Sequence, residues 1–523
     1  MKLIKALFGR TALTVLAILL QLFVSIALVW LMDIIIHAAI GDSIMVGPYT
    51  LPTVIIAAAD IIIALVTSVR IVVRDMSPDE KMSWLVVLVF APIIGSLLYL
   101  FFSHTYLPRA KALLHMDIQA RSAKYYTCKD DCSDALGEYV RCSRFITDTS
   151  GSRPHRYSDV VYLPSGEAFW EKLKEELEKA EKYIFMEYFI IERGKMWDEV
   201  EHILERKIAE GVTVKVMYDD IGNLTHAKRG FWKELRAKGI ECLRFNPLRP
   251  VLSAVHNNRD HRKITVIDGK TAFVGGVNFA DDYINETHTL GQWKDCAVMV
   301  RGEAVQPLTI MFLTMYDSQD ITRLENYDEF MPEYYEYFDE EGIVQPFADG
   351  PRPLYPTHVA ENVILDMING AKKYIYITTP YLIINYNLQS ALCRAAMSGV
   401  DVRIVTPRIP DKKIVFWITR RNYKKLLRCG VRIYEYLPGF IHAKTYISDD
   451  TVGMVGTINM DYRSLVHHYE CGVWMYKTAC LEDIRRDVER TLTECEEMTP
   501  ETARQSVPKR VISAIGSLFA PML

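Results

Sequence analysis

The first hundred residues contain three long apolar runs separated by short polar segments. The runs span residues 11–36, 51–73 and 84–102. Each has about the 20 apolar residues that an α-helix needs to cross a bilayer, and the first exceeds the apolar part of a signal peptide. The pattern predicts an N-terminal anchor of two or three transmembrane helices. Such an anchor would make the chain a multi-pass protein of the cell membrane.

After residue 160, amphipathic helical stretches alternate with short runs of β-branched and aromatic residues. In SGEAFWEKLKEELEKAEK, Phe169, Leu173 and Leu177 lie four positions apart and form one apolar stripe on a helix. The next run, YIFMEYFII, has the composition of a buried strand. This alternation predicts an α/β fold class with layered domains.

The same series of segments occurs twice. EKYIFMEYFII at 181–191 resembles KKYIYITTPYLI at 372–383, and EGVTVKVMYDD at 210–220 resembles SGVDVRIVTPR at 398–408. A repeat of about 190 residues is too long for a solenoid and indicates a duplicated domain. The predicted segments are an anchor at 1–105, a connector at 106–160, a first domain at 161–320, an acidic linker at 321–355, a second domain at 356–500 and an amphipathic tail at 501–523.

Composition narrows the range of functions. The 523 residues carry a net charge of −4, which gives no indication of a nucleic-acid partner. The ten cysteines include no Cys-x-x-Cys pair, so the spacing predicts neither a zinc site nor a dense disulfide framework. The sequence also lacks P-loop and Rossmann glycine patterns. We expect no metal and no cofactor.

Two stretches share one pattern of chemically active residues. HRKITVIDGKTAFVGGVN begins at His261, and HAKTYISDDTVGMVGTIN begins at His442. Alternate side chains of a strand share a face, so each histidine and the lysine two residues later point the same way. Asp268 and Asp449 stand at odd spacing from the histidines and within turn signals. That position favours a structural role in the turn.

The two copies together supply two histidines, two lysines and two asparagines. They are His261, Lys263, Asn278, His442, Lys444 and Asn459. This set suits a phosphodiester, because one histidine can attack phosphorus while the other protonates the departing alkoxide. The lysines and asparagines can stabilise charge on the phosphate oxygens. The two histidines then need opposite protonation states near neutral pH.

The pattern H-x-K-x4-D-x6-G-[GT]-x-N, present twice, resembles that of the phospholipase D superfamily over about residues 160–480. GGVNFADDY at 275–283, GTINMDYRSL at 456–465 and the segment 76–102 resemble its cardiolipin synthase branch. The resemblance implies two duplicated domains with mixed sheets and an active site at their pseudo-twofold interface. It also implies a phosphohistidine intermediate and transfer of a phosphatidyl group from one phosphatidylglycerol to another, with release of glycerol.

The resemblance also assigns roles to individual residues. The catalytic motif residues are His261, Lys263, Asp268, His442, Lys444 and Asp449. His261 would be the nucleophile and His442 the general acid and base, while both lysines, Asn278 and Asn459 would bind the substrate phosphate. Asp295 in QWKD and Glu470 in HHYE would orient the histidines. The chain departs from the branch at His468, where asparagine is usual, and this changes the hydrogen bonding expected around Glu470.

Three other functions compete with this interpretation. Transfer to water would make the chain a phospholipase D-type hydrolase that releases phosphatidic acid, and acceptor choice depends on pocket shape rather than on the motif. A nuclease of the same superfamily fits poorly with the anchor and the negative charge. A non-catalytic membrane scaffold would not need intact histidine and lysine in both motifs.

The implied partners are phosphatidylglycerol, other anionic phospholipids and the bilayer, and a homo-oligomer stays open. Residues 401–432 hold ten Lys or Arg against two acids, with Phe416 and Trp417 inside the run. Such a run is usually a solvated face, but beside a membrane anchor it also suits contact with anionic lipid. The sequence does not decide on which side of the membrane the catalytic halves lie. Three crossings would place them outside, whereas a re-entrant segment would keep them inside.

Overall fold

The computed structural model describes residues 51–103, 107–129, 132–228, 230–248, 257–320, 324 and 326–522, with scattered positions between 30 and 50. The chain forms two compact units, one up to residue 104 and one from residue 105 onward.

The first unit contains one helix suited to a membrane crossing. A short ladder of β1 (Met45–Val46) and β2 (Tyr49–Thr50) precedes α1 (Leu51–Val73), α2 (Pro78–Phe90) and α3 (Pro92–Phe102). The 23 residues of α1 have a mean hydropathy of 2.3, and among the described residues no other helix is both long and apolar enough to span a bilayer. Within the described part of the chain, one of the two or three predicted spans is therefore present as such a helix.

The third predicted span, residues 84–102, is not a single helix. The backbone leaves helical geometry at Ala91 (φ −146°), and Pro92 begins the next helix. Proline lacks an N–H and clashes with the preceding helical turn, so it ends α2. The two pieces are 13 and 11 residues long, and each is shorter than a bilayer crossing. The first predicted run, residues 11–36, lies almost wholly outside the described residues.

The second unit contains two mixed sheets. Strands of the first half are β3 (Asp159–Leu163), β4 (Tyr183–Tyr188), β5 (Thr213–Asp219), β6 (Glu241–Phe245), β7 (Ile264–Ile267), β8 (Thr271–Gly275), β9 (Gln292–Lys294) and β10 (Ala297–Arg301). Those of the second half are β11 (Ile343–Asp349), β12 (Tyr374–Thr378), β13 (Leu382–Ile383), β14 (Asp401–Pro407), β15 (Arg432–Tyr436), β16 (Gly439–Ile441), β17 (Thr445–Ser448), β18 (Val452–Gly456), β19 (Met460–Asp461), β20 (Glu470–Tyr476) and β21 (Cys495–Glu497).

The two sheets repeat one topology. The first has the order β3-β10-β8-β7-β4-β5-β6, and the second has β11-β20-β18-β17-β12-β14-β15, with β21 added at its edge. In each sheet the strands of one βαβαβ unit run parallel and the neighbouring strands run antiparallel. The same order in both halves agrees with the duplication predicted from the sequence, and both sheets are mixed.

Helices cover the sheets and connect their strands. In chain order they are α4 (Arg109–Ser122), α5 (Val140–Ser150), α6 (Gly166–Glu178), α7 (Lys195–Ala209), α8 (Phe231–Ala237), α9 (Val305–Gln319), α10 (Val359–Gly370), α11 (Tyr386–Met397), α12 (Lys413–Arg428), α13 (Cys480–Thr493) and α14 (Val507–Phe519). The Ser165 hydroxyl accepts a hydrogen bond from Ala168 N and begins α6. The apolar stripe of α6, Phe169, Leu173 and Leu177, is buried as its spacing predicts.

The two halves meet along short strands close to the repeated motifs. β9 of the first half pairs in parallel with β16 of the second. Asp260 forms a second bridge, with Tyr469 of the other half. Each contact lies next to a motif histidine in the sequence, so the joint between the halves also fixes the positions of the two histidines.

Two predicted segments differ from the structure. Strand β11 lies inside the predicted linker 321–355 and pairs along its whole length with β20, so the second domain begins earlier than predicted. The predicted connector 106–160 contains two α-helices, a loop in which His155 pairs with Val344 of β11, and the first residues of β3. The strand that follows residue 342 was not predicted, because IVQPFAD shows no clear alternation and contains Pro346, which argues against a strand.

Candidate active site

Each motif histidine is bonded to an acid from the opposite half of the chain. His261 Nδ1 lies 2.9 Å and 3.0 Å from the two carboxylate oxygens of Glu470. His442 Nδ1 lies 2.6 Å from Asp295 Oδ2. A carboxylate only accepts, so Nδ1 carries the proton in both rings and Nε2 keeps its lone pair. All four groups are buried. The predicted orienting acids therefore contact histidines, and the pairing crosses between the halves.

The backbone explains why the pairing crosses. His442 N donates to Lys294 O over 2.7 Å, and Lys294 immediately precedes Asp295. His261 N donates to Tyr469 O over 3.0 Å, and Tyr469 immediately precedes Glu470. Each half thus presents its acid to the other half through backbone hydrogen bonds, and neither pair can form in an isolated half.

Small and hydroxylated residues hold the two carboxylates. Glu470 accepts hydrogen bonds from the hydroxyls of Thr457 and Ser464, the latter at 2.6 Å. Asp295 Oδ1 accepts from Cys296 N at 2.8 Å. A side chain at Gly276 would collide with Asp295 Oδ1, so that position must be glycine. Thr457 occupies the position in the second motif that corresponds to Gly276, and its hydroxyl donates a hydrogen bond to Glu470.

The two motif lysines are buried beside the histidines. Lys263 Nζ donates to His261 O over 2.6 Å, and Lys444 Nζ donates to His442 O. Burial lowers the pKa of Lys263 to about 7 and that of Lys444 to about 8, although Glu470 and Asp295 oppose the shift. Both lysines therefore lose their charge within the neutral to mildly alkaline range.

The protonation of the histidines follows from the same surroundings. Burial, followed by the charges of Lys263 and Lys444, lowers the pKa of His261 well below its ordinary value. Burial and Lys444 lower the pKa of His442 to about 4, against the opposing effect of Asp295. Burial raises the pKa of Asp295, but His442 and Lys444 outweigh it and hold that pKa below its usual value. Near neutral pH the site therefore contains two neutral imidazoles and an ionised Asp295.

The two predicted phosphate-binding asparagines have different environments. Asn278 Nδ2 donates to Tyr283 Oη over 2.7 Å, and its Oδ1 accepts from Ile190 N over 3.1 Å. Asn459 is 5% exposed, and its Oδ1 has no hydrogen-bond partner among the residues described. The amide of Asn278 is thus bonded within the first half, whereas the amide oxygen of Asn459 is unpaired among the described residues.

Asp268 and Asp449 lie in turns and bond to backbone. Asp268 accepts from the N–H groups of Glu181, Lys182 and Tyr183, each at 2.8 Å. Asp449 does the same at 2.6–2.8 Å with residues 372–374. Both residues have positive φ, +53° and +56°, as turns require. Of the six motif residues, these two bind the backbone at the start of β4 and of β12, and they contact neither histidine.

Comparison with known proteins agrees with this geometry. A family model described as "Cardiolipin synthase, PLD-like domain" matches twice, at residues 173–306 and 364–492. A second, "Phospholipase_D-nuclease N-terminal", matches residues 54–103. A cardiolipin synthase of Geobacillus sp. (strain WCH70) is 34% identical over 484 residues, which cover 90% of this chain and 93% of the relative. The chain belongs to the cardiolipin synthase family. It is accordingly a phosphatidyltransferase that acts on phospholipids.

Two further matches are a relative and a solved structure. An uncharacterized protein of Streptococcus mutans serotype c is 41% identical over 459 residues, which cover 86% of this chain and 98% of that protein. The crystal structure of a phosphatidylserine synthase from Haemophilus influenzae has a TM-score of 0.56 at 15% identity, and covers 73% of this chain and 96% of its own. At that identity the likeness concerns the fold alone.

Aromatic rings surround both histidines of this cardiolipin synthase-like site. Phe189 lies edge-on to His261, with ring centroids 5.2 Å apart. Tyr283 and Trp293 approach His442, at 5.6 Å and 5.7 Å. The sequence did not single out these rings or Ser464, and it placed Thr457 in the second motif without predicting its bond to Glu470. Ser464 lies within GTINMDYRSL, but only the fold brings it to Glu470.

His468, the departure from the family pattern, borders the first histidine. Its ring centroid is 5.4 Å from that of His261, and neither ring nitrogen has a hydrogen-bond partner among the described residues. Burial lowers its pKa to about 3. Ligand atoms of His261, His468 and Glu470 lie within 4.8 Å of one another, a spacing that could hold a metal ion. A cation there would compete with the bond that orients His261.

Proposed function

We propose that this phosphatidyltransferase is a cardiolipin synthase that joins two molecules of phosphatidylglycerol and releases glycerol. The observation that carries the proposal is the crossed pairing of His261 with Glu470 and of His442 with Asp295. It provides two imidazoles with basic Nε2 atoms, which a double displacement at phosphorus requires. The cardiolipin synthases among the relatives support the choice of substrate.

The first displacement forms a phosphohistidine. The Nε2 atom of His261 attacks phosphorus, and the bond from phosphorus to the glycerol headgroup breaks. The electron pair of that bond goes to the leaving oxygen, which takes a proton from His442. In the second displacement His442 removes the proton from a headgroup hydroxyl of another phosphatidylglycerol. That oxygen attacks phosphorus, and the bond to His261 breaks.

The lysines and asparagines would stabilise the negative charge that develops on the phosphate oxygens. Lys263 and Lys444 are buried at the base of the site, where low polarity strengthens their attraction for phosphate oxygens. His442 must be protonated to act as an acid, although burial and Lys444 lower its pKa to about 4. The negative phosphodiester supplies the compensating charge, so substrate binding raises this pKa and takes up a proton.

The motif pattern and the contacts of the site residues together support one role for each residue. His261 and His442 react, both lysines with Asn278 and Asn459 hold the phosphate, and Asp295 and Glu470 position the rings. Asp268 and Asp449 keep the strands in register. The predicted six-segment organisation, revised at β11, and a multi-pass location in the cell membrane are part of the same proposal.

The proposal is tested by product analysis. The full chain is reconstituted with phosphatidylglycerol in liposomes without added metal, and lipids and free glycerol are followed by mass spectrometry. We expect cardiolipin with one equivalent of glycerol, and loss of both products in His261→Ala and in His442→Ala. Phosphatidic acid in place of cardiolipin would make the chain a hydrolase. Turnover that survives either substitution would contradict the two-histidine mechanism.

A further inference from the structure

A cluster of metal-ligating side chains lies outside the two-histidine site. It combines Cys128 and His155 from the connector with Glu303, which precedes α9. One ligand atom from each of the three lies within 4.8 Å of the others. In a tetrahedral zinc site, ligand atoms are about 3.3–3.8 Å apart, given bond lengths of roughly 2.0–2.3 Å. The three side chains therefore need only small movements to surround one cation.

His155 has no protein partner suited to its ring. The residue is completely buried, and neither Nδ1 nor Nε2 makes a hydrogen bond with any residue that the structure describes. Its nearest charged neighbour is Glu303 Oε2, 3.3 Å from Nδ1. Buried polar groups are nearly always satisfied, so an imidazole with two unused nitrogens in a cluster of ligands needs an explanation. A bound cation supplies one.

A second cysteine adjoins the cluster. The Sγ atoms of Cys128 and Cys132 both lie against the carbonyl oxygen of Pro154, at 2.9 Å and 3.6 Å. Pro154 immediately precedes His155. Cys132 is therefore placed to become a fourth ligand, and the set would then have two sulfur atoms, one nitrogen and one oxygen. Thiolate and imidazole donors favour zinc and exclude magnesium and calcium.

Backbone and side-chain hydrogen bonds hold Cys128 and His155 in place from two sides. Thr127, next to Cys128, exchanges two hydrogen bonds with Gln306, at 2.9 Å and 2.8 Å. His155 exchanges two backbone hydrogen bonds of 2.9 Å with Val344 of β11. A cation at the cluster would consequently tie the connector to α9 of the first half and to the sheet of the second.

We propose that Cys128, Cys132, His155 and Glu303 form a structural zinc site that locks the connector onto both halves. A Cys-x-x-Cys search misses it, because its cysteines are four positions apart and its other ligands come from distant segments. The expectation of no metal, drawn from cysteine spacing, is thereby revised for the connector. The two-histidine site shares no residue with this cluster, so the proposal stands or falls independently of the proposed function.

Metal binding is measured on the purified full chain in detergent under reducing conditions. The protein is stripped with a chelator and passed through a desalting column, and Zn²⁺ or Co²⁺ is then added. We expect about one retained Zn²⁺ per chain by elemental analysis and, with Co²⁺, a thiolate-to-metal charge-transfer band of a tetrahedral site. Chelation should also lower the melting temperature. Wild-type protein that retains no metal would overturn the proposal.

Three variants identify the ligands. Cys128→Ser and His155→Gln should lose the charge-transfer band and the effect of chelation on the melting temperature. Cys142→Ser, a buried cysteine of α5 outside the cluster, should keep both. If His155→Gln fails to fold, Cys128→Ser still tests the proposal. Cys128 is partly exposed, so its replacement should disturb folding less than replacement of the buried His155. A full equivalent of metal with an unchanged band in Cys128→Ser would place the metal elsewhere and contradict the assignment.

Discussion

His261 and His442 each donate Nδ1–H to a buried carboxylate, which fixes one tautomer and turns Nε2 toward the reaction. Two features of the surroundings then set the chemistry. Burial and the neighbouring lysines keep both rings neutral, and the acids keep them oriented. Such a site suits an anionic substrate, because the negative charge of a phosphodiester offsets the positive charge of the lysines.

Removal of one orienting acid should affect the histidine of the other half. In Asp295→Asn the amide can no longer stabilise a protonated His442, and we expect kcat to fall by about 10²- to 10⁴-fold. Turnover of phosphatidylglycerol in liposomes measures the change. Asp282→Asn is the matched control, because Asp282 bonds the exposed hydroxyls of Thr287 and Thr289. An Asp295→Asn chain with activity close to that of the control would remove the crossed pair from the mechanism.

The activity should depend on pH in one direction above neutrality. Lysines with pKa values of about 7 and 8 are charged below those values and lose their charge as the pH rises through them. His442 also needs a proton from solution, which becomes scarcer as pH rises. We therefore expect kcat/KM for a soluble short-chain phosphatidylglycerol to decrease steadily between pH 7 and pH 9. An increase over that range would contradict the assigned charges.

At the scale of single residues, the sequence predicts which groups take part in the chemistry better than it predicts their contacts. Spacing identifies the histidines, lysines and asparagines, because residues two apart on a strand share a face. The spacing does not reveal that Glu470 pairs with His261 rather than with His442, which is closer to Glu470 along the chain. That choice depends on the backbone bond from His261 N to Tyr469 O, which exists only once the two sheets have come together.

At the scale of elements, the two aspartates of the motifs hold together the ends of strands. Asp268 lies in the turn between β7 and β8 and gathers three N–H groups at the start of β4. Asp449 does the same for β12. Both strands lie at the centre of their sheets, directly beside the strand that follows each motif histidine. The aspartates therefore stabilise the strands that lie beside the motifs, without contacting the histidines.

Replacement of such an aspartate should reduce stability more than chemistry. Asp268→Ala leaves three backbone N–H groups without their acceptor, and we expect a loss of roughly 3 kcal/mol in the free energy of unfolding. Thermal melting measures the loss. At a temperature where the variant is folded, kcat should stay within about threefold of the wild-type value. A large fall in kcat with an unchanged melting temperature would instead assign Asp268 to the reaction.

The elements were predictable where their pattern was long. The stripe of α6 and the strand after it follow directly from the spacing of apolar residues. β11 was missed because seven residues beside a charged segment carry no clear periodicity, and its pairing with β20 is wholly long-range. The break at Ala91 was missed because hydropathy alone ignores what Pro92 does to a helix.

Over the whole molecule, one surface combines positive charge with exposed apolar side chains. α14 packs on α12, where Gly516 lies against Ile418 and Gln505 Nε2 donates to Trp417 O over 2.7 Å. α14 exposes apolar side chains at Val507, Val511, Ile512 and Ile515. Lys424 and Lys425 are exposed near the end of α12. The composition suits contact with the headgroups of anionic lipid.

Reversal of charge on this surface should loosen its contact with lipid. Anionic nanodiscs should protect α12 and α14 from hydrogen exchange in the full chain, and the double variant Lys424→Glu with Lys425→Glu should lose most of that protection, since each lysine near the surface contributes about 1 kcal/mol. The double variant Lys182→Glu with Lys270→Glu, at exposed lysines of the first half, is the control. Equal protection in both variants would argue against contact at these lysines.

The central claim is that two histidines from different halves share one reaction, with His261 carrying the phosphatidyl group. The most direct measurement is to quench the full chain in alkali during turnover of phosphatidylglycerol and to map the modified peptide by mass spectrometry. We expect a phosphatidyl adduct on the peptide that contains His261, and none in His261→Ala. An adduct on the peptide of His442, or turnover with no adduct on either histidine, would contradict the account.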